Sequence, residues 1–300
     1  MAPGMLPAHG FDASGVLGFP PVTKVCFFSS EAGAAHDRCP AVAQEVVLDQ
    51  LWICGSGVML VIDIGNSKTK GAWFEGENIE ERFIVDSRQF MDSPALKGKL
   101  FSQGREPFIA FSCVVPEITR WLRRSCDELE IPCFDVKSAR KHIVKVRYDM
   151  GELGGDRLAN VAAAFRLYEP PLLVVDFGTA TTYNIVLKDG TFDGGAIAPG
   201  IKTCIDFLVQ GSGLLPAIPL RVPECVAGHS SEDALVSGFY YTFTGQFKEI
   251  SKQVAAHIGG AYATIGTGGM VLFAKEAFPQ ITVNRDLTLL GIRMLYEENS

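Results

Sequence analysis

The most constraining feature of this chain is a repeat. Residues 60-LVIDIGNSKTKGAWF-74 and 173-LVVDFGTATTYNIVL-187 share one grammar, 113 positions apart. Each opens with a branched apolar strand, passes Asp, an apolar residue and Gly, makes a hydroxyl-rich turn, and resumes as a second strand. Branched apolar runs interrupted by Gly and small polar residues predict hairpins. A hairpin used twice predicts a duplicated architecture. Glycine in each turn lets the backbone bend tightly and lets phosphate oxygens approach. Asn66, Ser67, Thr69, Thr179, Thr181 and Thr182 supply donors around it. Asp63 and Asp176 stand at the ends of buried strands, where a carboxylate is costly unless it meets a cation or ordered water. Two like halves facing each other would bring both turns to one nucleotide.

The rest of the chain alternates strands and helices. Residues 108–116 predict a strand ending at Pro116, and 117–129 a helix. A helix over 156–168 carries Leu158, Val161, Ala162 and Phe165 on one face, and Pro170–Pro171 ends it. The domain boundary is expected there, giving halves 59–169 and 170–300. Residues 232–258 predict one long helix or two with a break, Gly238 and Gly245 allowing close packing or a kink. Residues 261–273 read as strand, glycine turn and helix start. The fold class is α/β, each half a mixed sheet flanked by helices.

Residues 1–58 differ in character. The first 21 are rich in Gly, Pro and Ala, 22–30 predict one strand, and 43–57 predict a short helix. The clear pattern starts at Met59, so 1–58 is expected to be an extension outside the main fold, arising from a start codon placed too far upstream.

Bulk properties exclude several functions. At 300 residues and 47% hydrophobic, the chain can bury two cores. The net charge of −7 and the lack of basic tails argue against a nucleic-acid partner. The short basic stretch 137–147 reads as a solvated or locally paired surface. The eight cysteines form no CxxC pair and the five histidines are scattered, which disfavours zinc or iron–sulfur sites. They read as reduced thiols of a cytoplasmic protein. No apolar run reaches the length of a membrane span. GxxxxGK[ST] is absent, which argues against a P-loop kinase.

The ordered set 63-DIGNSKTKG-71, 112-SCVVP-116, 154-GGDRLANVAAA-164, 176-DFGTATTYN-184, 194-GGAIAPG-200 and 267-TGG-269 resembles type III pantothenate kinases, a group related to Bvg accessory factors. The tail 286–295 is similar to that family's final strand-loop-helix. The resemblance covers nearly all of 59–296. It implies an actin-like, ribonuclease-H-like fold, a homodimer, and ATP-dependent phosphorylation of pantothenate, the first step of coenzyme A biosynthesis. It also implies roles by position. Asp156 would be the general base. Tyr148, Gly154, Gly155, Asp156, Arg157 and Ser231 would bind substrate, with Arg157 on its carboxylate. Asp63, Ile64, Gly65, Asn66, Ser67, Lys68, Thr69 and Lys70 would form the first phosphate turn, with Thr179 on the second. Gly268 and Gly269 would pass beneath adenosine. Asp63 would hold Mg2+, directly or through water, and Asp176 a monovalent cation, K+ or NH4+. Asp156 and Ser231 also sit where helix caps are found.

Two departures fall on the substrate loop. 138-SAR-140 stands where relatives usually carry Gly-Pro-Gly, and 148-YDMGELGGDR-157 lacks their Asn-Pro. Both phosphate turns and Asp156–Arg157 are intact. Three other readings remain: a kinase of another small hydroxy compound, a nucleotide-binding accessory protein without catalysis, and an actin-type filament protein.

Overall fold

The computed structural model describes residues 26–29, 58–91, 108–211 and 218–300. The first sheet holds β1 (Cys26–Ser29), β2 (Val58–Ile64), β3 (Lys68–Glu75), β4 (Asn78–Asp86), β5 (Phe108–Cys113) and β6 (Cys133–Asp135). Its order is β1-β4-β3-β2-β5-β6. Strands β2, β3 and β4 form an antiparallel meander, and β5 and β6 continue parallel from the other side of β2. The second sheet holds β7 (Lys145–Val146), β8 (Leu172–Phe177), β9 (Ala180–Val186), β10 (Thr191–Pro199), β11 (Ala263–Thr267) and β12 (Thr282–Val283), in the order β12-β11-β8-β9-β10-β7. Here β8, β9 and β10 make the meander, and β11 and β12 run parallel beyond β8. The five-strand topology is thus used twice, as the repeat requires. The edge strands differ: β1 runs antiparallel to β4, whereas β7 runs parallel to β10. The strand expected within 22–30 is β1; the helix expected at 43–57 lies outside the described residues.

Seven helices are described: α1 (Ser87–Phe90), α2 (Pro116–Glu128), α3 (Gly155–Leu167), α4 (Ile201–Gly211), α5 (Ser231–Ile258), α6 (Val271–Ala277) and α7 (Leu287–Asn299). Helices α3 and α7 lie between the sheets. One core joins Val61 and Ala110 of the first sheet, Val174 and Ile265 of the second, and Leu158, Val161, Leu289 and Ile292 of these helices. The outer face of the first sheet buries Ile62, Ile64 and Phe111 with Leu122 of α2. The outer face of the second buries Val175 and Phe177 with Phe243 and Phe247 of α5. Both faces of β2 and β8 are therefore covered, which is why each reads as an unbroken apolar run.

The central layer departs from the amphipathic expectation. Helix α3 is buried almost all round, from Arg157 through Ala164, because it has a sheet on each side. Its small residues allow close approach to α7: a Cβ on Gly291 would fall 1.9 Å from the Ala159 carbonyl oxygen. Gly291→Ala is therefore expected to wedge the two helices apart. The cost should be about 3 kcal/mol, the upper end for overpacking, read as a lower midpoint in urea unfolding.

Helix α5 decides between two expectations. It is one unbroken helix of 28 residues. A Cβ on Gly238 or Gly245 would meet nothing within 4 Å, so these glycines serve no close packing among the described residues. Ser230 caps its start by accepting from the Asp233 N–H, and Gly259, with φ of 76°, ends it. The tail also differs, since 287–299 is entirely helical and the last strand, β12, precedes it.

Candidate active site

Each acid of the repeat ends the first strand of its hairpin. Register then decides what faces it. Asp63 on β2 pairs with Lys70 on β3, and Asp176 on β8 with Thr182 on β9. The turns that follow meet: Thr179 Oγ1 donates to Ser67 Oγ at 3.1 Å. The first turn is braced from below, with Ser87 Oγ donating to the Gly65 carbonyl at 2.7 Å and lying 3.0 Å from Thr69 Oγ1. The second is braced by Thr203, whose hydroxyl donates to the Thr179 carbonyl at 2.7 Å.

The third acid comes from α3. Asp156 lies in its first turn, and Asp156 Oδ1 accepts from the Arg157 N–H at 2.9 Å. The carboxylate thus satisfies one orphan N–H of the helix start, while Gly154 occupies the N-cap position. A Cβ at Gly154 would sit 2.4 Å from Asp156 Oδ1, so glycine there makes room for the acid. One turn further, Asn160 is buried, donates to Asp176 Oδ2 at 3.3 Å and accepts from Thr288 of α7 at 2.8 Å.

The three carboxylates act on one another. Burial first, opposed by Lys70 and helped by Asp156 and Asp176, pushes the Asp63 carboxyl up to about 7. Asp176 is raised too, by burial first, with Asp156 adding and Lys70 and the Asn160 amide opposing. Both residues keep some exposed area, but their carboxyl groups are densely surrounded, and that governs their ionisation. The sign of the pH effect follows. An unfolded Asp titrates near 3.9, so between there and about pH 7 the folded protein holds the extra proton on Asp63. The stability this confers is complete below the unfolded value and is lost as pH rises through about 7. Without ligands, the parent is expected to lose up to roughly 3 kcal/mol more between pH 5 and 7.5 than Asp63→Asn does. Urea titrations of both at each pH measure this.

Arg157 is 5% exposed. Its Nε donates to Asn184 Oδ1 at 2.7 Å, and its guanidinium carbon lies 4.9 Å from the centre of the Tyr148 ring and 5.5 Å from that of Phe192. Among the described residues Arg157 Nη2 has no partner. Tyr148 also stacks on Phe192 at 5.9 Å. The altered loop is well tied. The Asp149 side chain accepts from the Gly151 N–H at 2.8 Å, and Asn299 Oδ1 accepts from the N–H groups of Arg140 and Lys141.

Several expected residues stand elsewhere. The Ile64 side chain points into the outer core and Thr69 is buried against Ser87, so both offer only backbone to a ligand. Lys68 pairs with Asp86 at 3.6 Å, while Lys70 is the cation acting on the acids. Thr181 and Thr182 are buried within β9, leaving Thr179 at the turn. Ser231 is exposed, and the cap belongs to Ser230. Gly268, with φ of 96°, abuts Asp176, where a Cβ would come within 2.3 Å of Oδ1; Gly269 faces open space. Asn160, Asn184 and Thr288 were missed as site residues. Asn160 could have been found, since i and i+4 share a helix face with Asp156. Thr288 had no such signal.

Two halves of one ribonuclease-H-like topology, their acidic turns in contact beside an acid-bearing helix, define the actin-like class of two-domain folds. Comparison with known proteins narrows this. The family model described as type III pantothenate kinase matches residues 59–253. The type III pantothenate kinase of Brevibacillus brevis is 33% identical over 253 residues, spanning 81% of this chain and 99% of that protein. That of Thermobifida fusca is 34% identical over 258 residues, spanning 81% and 100%. The chain belongs to the type III pantothenate kinase family. A solved structure from Campylobacter jejuni, assigned to a Baf family of transcriptional activators, aligns with a TM-score of 0.54 at 21% identity, over 80% of this chain and 98% of that one. At that identity the likeness speaks for the fold alone.

Proposed function

We propose that this chain transfers the γ-phosphoryl group of ATP to the primary hydroxyl of pantothenate, giving 4′-phosphopantothenate at the entry to coenzyme A synthesis. The observation that carries the reading is the mutual influence of Asp63, Asp156 and Asp176 around Lys70, in a chain of this family. Phosphoryl transfer needs positioning, charge neutralisation and in-line attack.

Asp156 is the general base. Its Oδ1 is occupied by the Arg157 N–H, which leaves Oδ2 to accept the proton of the substrate hydroxyl as that oxygen bonds to phosphorus. Arg157 receives the pantothenate carboxylate; its unpartnered Nη2 supports this, and Asn184 and the two rings hold the fork in place. Tyr148 covers the substrate, Gly154 and Gly155 line it, and Ser231 contacts it. The backbone of 63–70 and the hydroxyls of Ser67 and Thr179 meet the phosphates, Lys70 offsets their charge, and Gly268 and Gly269 lie under the adenosine.

The oxygen donors suit hard cations. Among the described residues, no three His, Cys, Asp or Glu side chains lie close enough to hold a metal by themselves. Asp63 would hold Mg2+ and Asp176 K+ or NH4+, in keeping with two carboxyls whose pKa values burial raises, a cost that a bound cation offsets. Such ions neutralise charge on the transferring phosphoryl group.

The chain is a homodimer in this reading; Ile197, Phe207, Val226 and Tyr241 are exposed apolar side chains available to a second copy. It acts in the cytoplasm on a small molecule, without nucleic acid or membrane. Among the described residues no helix is long and apolar enough to cross a membrane. Its catalytic halves are 59–169 and 170–300, and 1–58 precedes them, contributing β1 to the edge of the first sheet. The test is direct. Purified protein with ATP, Mg2+, K+ and pantothenate should yield a product heavier by one phosphoryl group in mass spectrometry. Absence of that product while another hydroxy acid is phosphorylated would reassign the substrate.

A further inference from the structure

Two buried hydroxyls occupy equivalent places in the two halves. Ser112 on β5 is in register with Asp63, and Thr267 on β11 with Asp176, each across a parallel pair. They are 1% and 0% exposed, and among the described residues neither Ser112 Oγ nor Thr267 Oγ1 has a hydrogen-bond partner. Residues opposite one another on neighbouring strands point to the same face. Adjacent residues identify that face. Ala110 belongs to the core around α3 and α7, while Phe111 and Cys113 belong to the outer core. Gly266 abuts Ile281 and Val271 of the opposite outer core, so Thr267 turns inward. Ser112 Oγ lies 2.9 Å from where a Cβ on Gly155 would stand, one residue before Asp156. Each hydroxyl therefore lies on the inner face of its sheet, enclosed beside the acid of its own half.

A buried hydroxyl without a partner is uncommon in native proteins and marks a bound water, ion or ligand. Here two stand at positions related by the repeat, each beside a buried carboxyl. A hydroxyl can donate once and accept twice, so it and the adjacent carboxylate can share one oxygen or cation between them.

We propose that Ser112 and Thr267 are positioning residues that, with Asp63 and Asp176 respectively, hold oxygens of the hydrated cation–triphosphate assembly at the floor of the cleft. The inference rests on the kinase reading above. It adds two residues to the site and makes the halves symmetric in function: acid and hydroxyl on parallel neighbours in each.

Titration calorimetry with magnesium and a non-hydrolysable ATP analogue, in potassium buffer, tests it. Parent, Ser112→Ala, Thr267→Val and Thr267→Ser are compared, together with their melting temperatures without nucleotide. The expected result is about tenfold weaker binding in Ser112→Ala and Thr267→Val, which is ~1.4 kcal/mol. Unliganded melting temperatures should stay equal to or above the parent's, because an unpaired hydroxyl has been removed. Thr267→Ser keeps the hydroxyl and should bind as the parent does. Parent-like affinity in either hydroxyl-free variant overturns the proposal, as does Thr267→Ser binding as weakly as Thr267→Val. The Thr267 variants decide alone should Ser112→Ala not fold. A parent that does not bind the analogue sinks the kinase reading itself, an outcome distinct from a parent that binds and variants that bind equally well.

Discussion

Replacing Asp156 with asparagine is expected to preserve ATP binding and to lower kcat by about 10²-fold or more, the usual contribution of a positioned base. That corresponds to at least ~2.7 kcal/mol of transition-state stabilisation. Asparagine keeps the shape and an Oδ1 to accept from the Arg157 N–H, so the start of α3 stays formed. What is lost is a group that can take the hydroxyl proton. Binding should survive for a further reason. Asp156 raises the carboxyl pKa values of both Asp63 and Asp176, so removing its charge makes those two acids ionise more readily. Steady-state kinetics with pantothenate, alongside nucleotide titration, separate the two effects. Near-parent turnover would remove Asp156 from the role of base.

The second large effect is expected at Asp176. Asp176→Ala should weaken ATP binding by about 10- to 100-fold, the range for losing a residue that organises a cation site, and should abolish stimulation by potassium. It should not destabilise the unliganded protein. The carboxyl is enclosed and raised in pKa by burial, so in the absence of cation it is a cost to the fold. Asn160 loses one partner but keeps Thr288. A variant with parent-like or higher melting temperature and poor nucleotide affinity is the pattern of a site that gives up stability for function. The measurements are initial rates in KCl against NaCl and thermal unfolding without ligand. Should potassium leave the parent unaffected, the assignment of Asp176 to a monovalent cation fails.

Much of the secondary structure was legible because it is local. The hairpins of β2–β3 and β8–β9 follow from apolar runs broken by glycine turns, and α3 was displaced by one residue from its expected span. Errors arose where a neighbour decides. Helix α3 carries small residues on the face opposite Leu158 and Val161, and small residues suit solvent or close packing equally. Gly238 and Gly245 left one helix or two open for α5; each costs an exposed helix only about 1 kcal/mol, and strong caps and a buried face outweigh that. Lys68 and Lys70 are indistinguishable by composition, but strand register puts one opposite Asp86 and the other opposite Asp63.

The sequence by itself determined the two acidic hairpins, their common grammar and the family they belong to, because each depends on residues adjacent along the chain. The tertiary structure alone decided which groups share a field. Residues 63, 156 and 176 interact only because α3 is packed between two sheets, with Gly291 allowing α7 to touch it. Coulomb energies and desolvation depend on distance and enclosure in space, and neither quantity is encoded in the spacing of letters along the chain.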